Sequence, residues 1–122
     1  MANILVAEDD QDIRDLIILT LQFNGFAVTA VENGALAVEA AQNGRYDLIL
    51  MDVRMPRMTG YEACRRLKEL DSTNDIPVIF LSAKGQETEI QIGMDAGAQQ
   101  YILKPFAPDD LISTINKVLS QG

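Results

Sequence analysis

Apolar residues along the chain follow two alternating kinds of pattern. Five short runs are apolar at nearly every position, which is typical of strands buried on both faces, as in a parallel sheet. These runs cover residues 4–7, 26–31, 46–51, 77–81 and 100–103. The third run is followed at once by Asp52, and then by Pro56 and Gly60. Because an open α/β sheet places its ligands at the carboxyl ends of its strands, Asp52 lies where a functional residue is expected.

Between these runs, apolar residues recur at the three- and four-residue spacing of amphipathic helices. The predicted helices cover residues 13–21, 35–42, 61–70, 86–96 and 108–119. Asp10 or Asp12 can cap the first helix, because acidic groups favour the free N–H groups of a first turn. The fourth helix is more polar, and its apolar face consists of Ile90, Met94 and Gly97. We therefore expect it to be the least firmly packed helix.

The strict alternation of five strands with five helices indicates an α/β fold. Consecutive parallel strands need a crossover connection, and helices on both faces then bury the sheet. No linker, internal repeat or low-complexity segment interrupts the alternation. The sequence therefore predicts a single domain over residues 1–122, with a five-stranded parallel sheet between two layers of helices.

Composition narrows the classes of function. The 122 residues carry 18 acidic and 10 basic side chains, a net charge of -8, which argues against a general nucleic-acid binder. The single cysteine, Cys64, lies in a predicted helix, so we expect a core position in a protein of the reducing cytoplasm. We expect neither a membrane span nor a signal peptide, because no apolar run is long enough and no basic region precedes the first predicted strand. The absence of histidine excludes Ser-His-Asp and Cys-His catalysis and histidine-bound metals.

Charged and hydroxyl side chains follow four of the five predicted strands. Glu8 and Asp9 follow the first strand, Asp52 the third, Ser82 the fourth and Lys104 the fifth. Because these strand ends share one edge of the sheet, we expect the groups to lie close together. Three neighbouring carboxylates repel one another, and a hard cation such as Mg²⁺ relieves that repulsion. The set suits formation of an acyl phosphate, in which Asp52 attacks phosphorus while Mg²⁺, Ser82 and Lys104 neutralise the phosphoryl oxygens.

Each of these residues also has an ordinary structural explanation. The acids after the first strand can be helix caps or solubilising charges, the serine can be a cap, and the lysine can be a surface charge. The chemical hypothesis depends on four compatible groups falling at the ends of four different strands.

Six short motifs together point to a known family. They are Glu8 with Asp9; Asp52 within Leu50, Met51, Val53, Arg54, Met55 and Pro56; Met58, Thr59, Gly60 and Tyr61; Leu81, Ser82 and Ala83; Asp95, Ala96, Gly97 and Ala98; and Tyr101, Ile102, Leu103, Lys104, Pro105 and Phe106. In this order and spacing they resemble the response-regulator receiver domains of bacterial two-component signalling, over essentially the whole chain. The resemblance implies a flavodoxin-like, doubly wound fold with strand order 2-1-3-4-5.

The resemblance implies that Asp52 is the phosphoacceptor and that Ser82 and Lys104 contact the phosphoryl group. The protein would then catalyse only its own phosphorylation and dephosphorylation, and would not be an enzyme with a separate substrate. Lys104 and Pro105 are implied to be joined by a cis peptide bond, which is cheap only before proline.

A metal site is implied by the same resemblance. Asp9 and Asp52 would bind Mg²⁺, with Mn²⁺ as a substitute, while Glu8 helps through water and the backbone carbonyl of Arg54 is a further ligand. The acidic pair is Glu-Asp rather than the commoner Asp-Asp, and the longer glutamate can still serve. Arg54 and Lys84 are both basic and stand where the family tunes the lifetime of the phosphoryl group.

The resemblance also implies a signalling surface. Ser82 and Tyr101 would form the switch, in which the tyrosine turns inward after phosphorylation. The alternative is an ordinary half-exposed strand tyrosine, and we favour the switch because Tyr101 lies three residues before Lys104. The fourth helix, fifth strand and fifth helix would then bind a downstream protein. The resemblance implies a histidine kinase or phosphotransfer protein as the phosphodonor, and because this chain has no histidine, we expect the donor histidine on another protein. We expect a monomer or a weak, phosphorylation-driven dimer with no direct contact to nucleic acid or membrane.

Three alternatives remain open at the level of sequence. A flavodoxin-like FMN carrier needs a loop that accepts phosphate after the first strand, and the acidic residues 8–12 would repel it. A Mg²⁺-dependent phosphatase of the haloacid-dehalogenase type needs a second aspartate two residues after the first, where Arg54 stands. A degenerate receiver could act only as an interaction module. The kinase, the target and the question of a stand-alone protein or an excised domain are not determined.

Overall fold

The five apolar runs form the strands of one parallel sheet in a computed structural model that describes residues 1–83 and 87–121. The strands are β1 (Asn3–Ala7), β2 (Ala27–Val31), β3 (Leu48–Asp52), β4 (Val78–Ala83) and β5 (Gln100–Lys104). Their order in the sheet is β2-β1-β3-β4-β5, and every neighbouring pair is parallel. The predicted doubly wound α/β architecture and strand order are therefore confirmed.

Five helices connect or follow the strands. They are α1 (Gln11–Phe23), α2 (Gly34–Asn43), α3 (Gly60–Glu69), α4 (Glu87–Asp95) and α5 (Pro108–Ser120). The side chains of Asp10, Asn33 and Thr59 accept hydrogen bonds from backbone N–H groups of α1, α2 and α3. These caps satisfy N–H groups that have no partner within the helix, and they determine where each helix begins.

The sheet separates two hydrophobic clusters, and β3 contributes to both. Leu48 and Leu50 join the cluster that includes buried residues of α1 and α5, whereas Ile49 and Met51 join the cluster that includes α2 and α3. All five β3 residues are buried, because alternate side chains enter opposite clusters. This double burial explains the unbroken apolar run and holds Asp52 at the end of the central strand.

Element boundaries differ from the predictions by at most two residues. Helix α1 begins two residues earlier than expected, with Asp10 rather than Asp12 as its cap, and β4 continues through Ser82 to Ala83. Strand β3 begins later, at Leu48. The differences arise because hydrogen-bonded pairing and caps, rather than hydrophobicity alone, decide where an element ends.

The predicted apolar face of α4 was partly wrong. Met94 is 41% exposed, whereas Gly93 is buried, and an added Cβ there would lie only 2.9 Å from Cδ2 of Phe80. Gly97 has a φ of 108° and follows the last residues of the helix, so its role is to end α4 rather than to form its face. Small residues such as Gly93 and Ala96 allow close approach to the sheet, and a pattern of large apolar residues does not register them.

Candidate functional site

The residues singled out at the strand ends do meet at the carboxyl edge of the sheet. Glu8 and Asp9 directly follow β1, while Asp52 is the last residue of β3 and Lys104 the last of β5. The structure brings the side chain of Lys104 to the acids although β5 is two strands away from β3. The long lysine stem spans that separation, so one cation reaches carboxylates from two other strand ends.

Lys104 bridges two carboxylates. Its Nζ donates hydrogen bonds to Oε1 of Glu8 at 2.7 Å and to Oδ2 of Asp52 at 3.0 Å. The Glu8 side chain is fully buried, whereas the Asp52 side chain remains 10% exposed. Both hydrogen bonds join ionisable groups and are therefore stronger than neutral ones. The small exposed fraction leaves the Asp52 carboxylate reachable from solvent while its position stays constrained.

Asp9 completes a cluster of three carboxylates. Glu8, Asp9 and Asp52 each offer one oxygen, and these oxygens lie within 4.8 Å of one another. Glu8 and Asp52 are buried and Asp9 is exposed, so the cluster is open to solvent on the side of Asp9. Oxygen donors with a partly open coordination sphere are what Mg²⁺ requires, because it retains several waters. The residues present therefore fit a hard divalent cation.

Burial changes the protonation of the cluster. It raises the pKa of Glu8 to about 7, helped by hydrogen bonding to Asp52, while the hydrogen bond to Lys104 acts in the opposite direction. Burial by itself would lower the pKa of Lys104, but the hydrogen bonds to Glu8 and Asp52 outweigh it and the pKa lies above its usual value. Lys104 thus stays charged at neutral pH, and Glu8 holds its proton to a higher pH than an ordinary glutamate does.

This proton makes the stability of the metal-free protein depend on pH. The folded pKa of Glu8, about 7, lies above the ordinary value of 4.5, so folded protein holds a proton that unfolded protein has lost. The contribution of Glu8 to stability is complete below about pH 4.5 and declines as pH rises to about 7. Relative to Glu8→Gln, the free energy of unfolding of wild type is expected to fall by about 1–3 kcal/mol across this interval.

Urea denaturation in EDTA at several pH values measures that difference. The Glu8→Gln protein is the matched reference, because it retains the shape of the side chain and removes its titration. A difference between the two proteins that stays constant from pH 4.5 to pH 7 would contradict the raised pKa of Glu8.

Other residues singled out from the sequence lie around Asp52. Asp52 pairs in register with Leu81 of β4, and the next residue, Ser82, is buried. The backbone N–H of Arg54 faces Oδ1 of Asp52 at 3.4 Å, a long contact, and the Arg54 side chain is exposed. Tyr101 on β5 is half-buried and packs against the cluster that contains α2 and α3.

Three further expectations concern the Lys104–Pro105 bond, Lys84 and Cys64. The Lys104–Pro105 peptide bond is cis, the geometry that the resemblance implies. Lys84 lies outside the described residues, so its predicted tuning role stays a prediction. Cys64 is buried, and its pKa is raised to about 11 by burial, which agrees with the predicted core position.

One residue at the site was not anticipated. Arg14, the fourth residue of α1, donates from Nη1 to the backbone carbonyls of Glu8 at 2.8 Å and Asp9 at 3.5 Å. The sequence did contain a signal for this contact. The helix dipole disfavours a cation near the start of a helix, so an arginine there indicates a specific interaction.

Comparison with known proteins assigns this arrangement to a family. Residues 4–116 match the family model described as the response regulator receiver domain. The chain belongs to this family. It is a receiver domain of the two-component response-regulator type, and the acidic residues of the site are present in it. The FMN carrier and the dehalogenase-type phosphatase considered from the sequence are thereby set aside.

Proteins that are similar in sequence and in structure are also response regulators. The chain is 37% identical over 117 residues to the response regulator MprA of Mycobacterium sp. strain KMS, covering 96% of this chain and 50% of the relative. It is similar to the chemotaxis response regulator CheY4 of Vibrio cholerae, with a TM-score of 0.92, 33% identity and coverage of 97% of this chain and 98% of that chain.

A third similar protein carries a metal. It is the receiver domain of the sensor histidine kinase PA1611 from Pseudomonas aeruginosa PAO1, described with a magnesium ion coordinated in the active site cleft. Its TM-score is 0.91 at 32% identity, and 98% of each chain is covered. The receiver domain described here spans about half the length of the curated relatives it matches. Among its described residues, no helix is both long and apolar enough to cross a membrane.

Proposed function

We propose that this receiver domain accepts a phosphoryl group on Asp52 from a histidine of a partner kinase or phosphotransfer protein. The observation that carries the proposal is the cluster of Glu8, Asp9 and Asp52 with Lys104 at the carboxyl edge of the sheet. Membership of the receiver family supports it further. The donor histidine must lie outside residues 1–122, because this chain contains none.

The proposed transfer is a displacement at phosphorus. A carboxylate oxygen of Asp52 forms the new P–O bond while the P–N bond to the donor imidazole breaks, and the imidazole nitrogen leaves with the bonding electron pair. Lys104, already 3.0 Å from Asp52 Oδ2, neutralises charge on the phosphoryl oxygens, and Ser82 donates a hydrogen bond to one of them. Asp52 suits the role of nucleophile because it is partly exposed while Glu8 is fully buried.

In this proposal Mg²⁺ is held by Asp9 and Asp52, with Glu8 acting through water and the backbone carbonyl of Arg54 as a further ligand. The ion supplies charge neutralisation for the transferred group, and Mn²⁺ can substitute for it. The three carboxylates within 4.8 Å support this assignment, as does the magnesium described in the similar PA1611 receiver.

The wider role follows from this chemistry. The chain, residues 1–122, acts as one receiver domain in the cytoplasm, and it has no substrate other than its own Asp52. Arg54 and Lys84 adjust the lifetime of the acyl phosphate. The chain is a monomer or a weak dimer promoted by phosphorylation.

Signal output is proposed to use the surface of α4, β5 and α5. Phosphorylation adds about -1.5 to -2 charge, and Ser82 moves toward it, which opens space that Tyr101 enters. Two observations support this surface: β5 is an edge strand of the sheet, and Leu103 of β5 and Met94 of α4 expose large apolar side chains. A downstream protein partner would bind there.

Incubation with acetyl phosphate tests the phosphoacceptor. Wild type is expected to gain the mass of one phosphoryl group in Mg²⁺ and not in EDTA, and Asp52→Asn is expected to gain none. In wild type, amide chemical shifts are expected to change on α4, β5 and α5 as the adduct forms.

Each arm of this experiment has a contradicting result. No adduct on wild type, under conditions that label a known receiver, would favour a protein that acts only as an interaction module. An adduct that persists in Asp52→Asn would place the acceptor elsewhere. An adduct without shift changes on α4, β5 and α5 would rule out this output surface.

A further inference from the structure

The loop between β1 and α1 is held from the helix side by one arginine. Arg14 turns back toward the strand, and its Nη1 lies 2.8 Å from the carbonyl oxygen of Glu8 and 3.5 Å from that of Asp9. The first contact is a short, charge-assisted hydrogen bond, and the second is a weaker contact from the same nitrogen.

These two carbonyl groups lie on either side of Asp9. The Glu8 carbonyl belongs to the peptide unit that precedes the Asp9 Cα, and the Asp9 carbonyl belongs to the unit that follows it. The two peptide planes together determine the direction of the Cα–Cβ bond. A guanidinium that holds both carbonyls therefore sets the direction in which the Asp9 carboxylate leaves the main chain.

Asp9 depends on such support more than the other two acids do. Glu8 is buried, and its carboxylate accepts hydrogen bonds from Lys104 and from the Asp10 backbone N–H. Asp52 belongs to the central strand and is held by Lys104. Asp9 is exposed and lies between the end of β1 and the cap residue of α1, outside both elements.

We infer that Arg14 is a positioning residue for the metal site, one that orients Asp9 toward Mg²⁺ without touching the ion. The inference rests on the proposed function, because it needs Asp9 to be a ligand. Arginine suits the role because its charge is permanent and its planar group presents several N–H donors, whereas lysine offers a single point of charge.

The sign of the effect separates this role from simple electrostatics. A positive charge beside a cation site repels the cation, so removal of a purely electrostatic Arg14 would tighten Mg²⁺ binding. Removal of a positioning Arg14 weakens binding, because the Asp9 carboxylate then samples directions away from the ion. Groups that orient metal ligands typically change affinity by about 10- to 100-fold.

Mg²⁺ affinity of Arg14→Gln, Arg14→Lys and Arg45→Gln provides the test. The dissociation constant is measured from amide chemical shifts of isotope-labelled protein titrated with MgCl₂. Arg14→Gln is expected to raise it by about tenfold and Arg14→Lys by about threefold. Arg45→Gln removes the same charge from an exposed residue before β3, at the opposite edge of the sheet, and should change it less than about twofold.

A second measurement needs no metal. In EDTA, hydrogen exchange at the amides of Asp9 and Asp10 is expected to be faster in Arg14→Gln than in Arg45→Gln, while the rest of the sheet is unchanged. Thermal melts of the same samples show whether each variant is folded. If Arg14→Gln does not fold, the comparison is made with Arg14→Lys instead.

The outcomes are distinct. Tighter Mg²⁺ binding in Arg14→Gln would mean that Arg14 acts only as a charge, and an unchanged affinity with a lowered melting temperature would mean that it only supports the helix; either result overturns the inference. Wild type that binds no Mg²⁺ would overturn the proposed metal site together with it. Wild type that binds Mg²⁺ and is phosphorylated normally, beside an Arg14→Gln protein of equal affinity, would overturn the role of Arg14 alone.

Discussion

Lys104→Met is expected to slow phosphorylation of Asp52 by about 100-fold and to tighten Mg²⁺ binding by about tenfold. The two effects have opposite signs because the ammonium group of Lys104 has two roles. It neutralises charge that develops on the transferred phosphoryl group, and it also competes with Mg²⁺ for Glu8 Oε1 and Asp52 Oδ2, which it contacts at 2.7 and 3.0 Å. Methionine keeps an unbranched apolar stem of similar length and removes the charge.

Lys117→Met is the matched control, because it removes a lysine from the last turn of α5. Rates of labelling by acetyl phosphate at saturating Mg²⁺, together with Mg²⁺ dissociation constants, measure both effects. Lys117→Met should leave the two quantities within about twofold of wild type. If Lys104→Met were labelled at the wild-type rate, the ammonium group would have no part in transfer, and Lys104 would serve only to pair two buried acids.

Gly60→Ala is expected to lower the free energy of unfolding by about 3 kcal/mol. Gly60 is the first residue of α3, and an added Cβ would overlap the carbonyl oxygen of Asp52 and lie 3.1 Å from Cε1 of Phe80. The backbone N–H of Gly60 also donates to the carbonyl of Val53 at 2.8 Å, so the chain cannot easily move away. The overlap must be relieved by shifting either α3 or the end of β3 that carries Asp52.

Gly25→Ala separates this overlap from ordinary loss of a glycine. Gly25 has a φ of 87° and no atom within 4 Å of the added Cβ, so only its left-handed backbone opposes alanine, at a cost of about 1–2 kcal/mol. Urea denaturation of both variants compares the cost of steric overlap at Gly60 with the cost of a left-handed backbone at Gly25. A loss of stability in Gly60→Ala no larger than that in Gly25→Ala would mean that close packing at Gly60 is not important.

The packing face of helix α4 is the feature that the sequence pattern predicted wrongly. The spacing of Ile90 and Met94 predicted a face that packs on the sheet, yet Met94 is exposed and Gly93 is the residue against Phe80. Tyr61 meets Phe80 edge-on, with ring centroids 5.3 Å apart, and the two rings occupy the space that a side chain at position 93 would need. The orientation of α4 thus follows from the shape of the surface beneath it.

The sequence by itself determined the type and order of every element and the edge at which the chemistry gathers. Hydrophobic periodicity distinguishes strands buried on both faces from amphipathic helices, and residues at the carboxyl ends of parallel strands share one edge. Glu8, Asp9, Asp52 and Lys104 were therefore predicted to lie together, because strand ends are a property of local pattern. The family motifs added the strand order, which is now confirmed.

Only the tertiary structure decided how these groups are held. Lys104 reaches two carboxylates at once, Glu8 is fully buried with a raised pKa, and Arg14 turns back onto the carbonyls of its own loop. Such features depend on distances between elements that are far apart in sequence and on the rotamers that packing permits. Hydrophobic periodicity records which face of an element is buried, whereas these contacts depend on which atoms meet there.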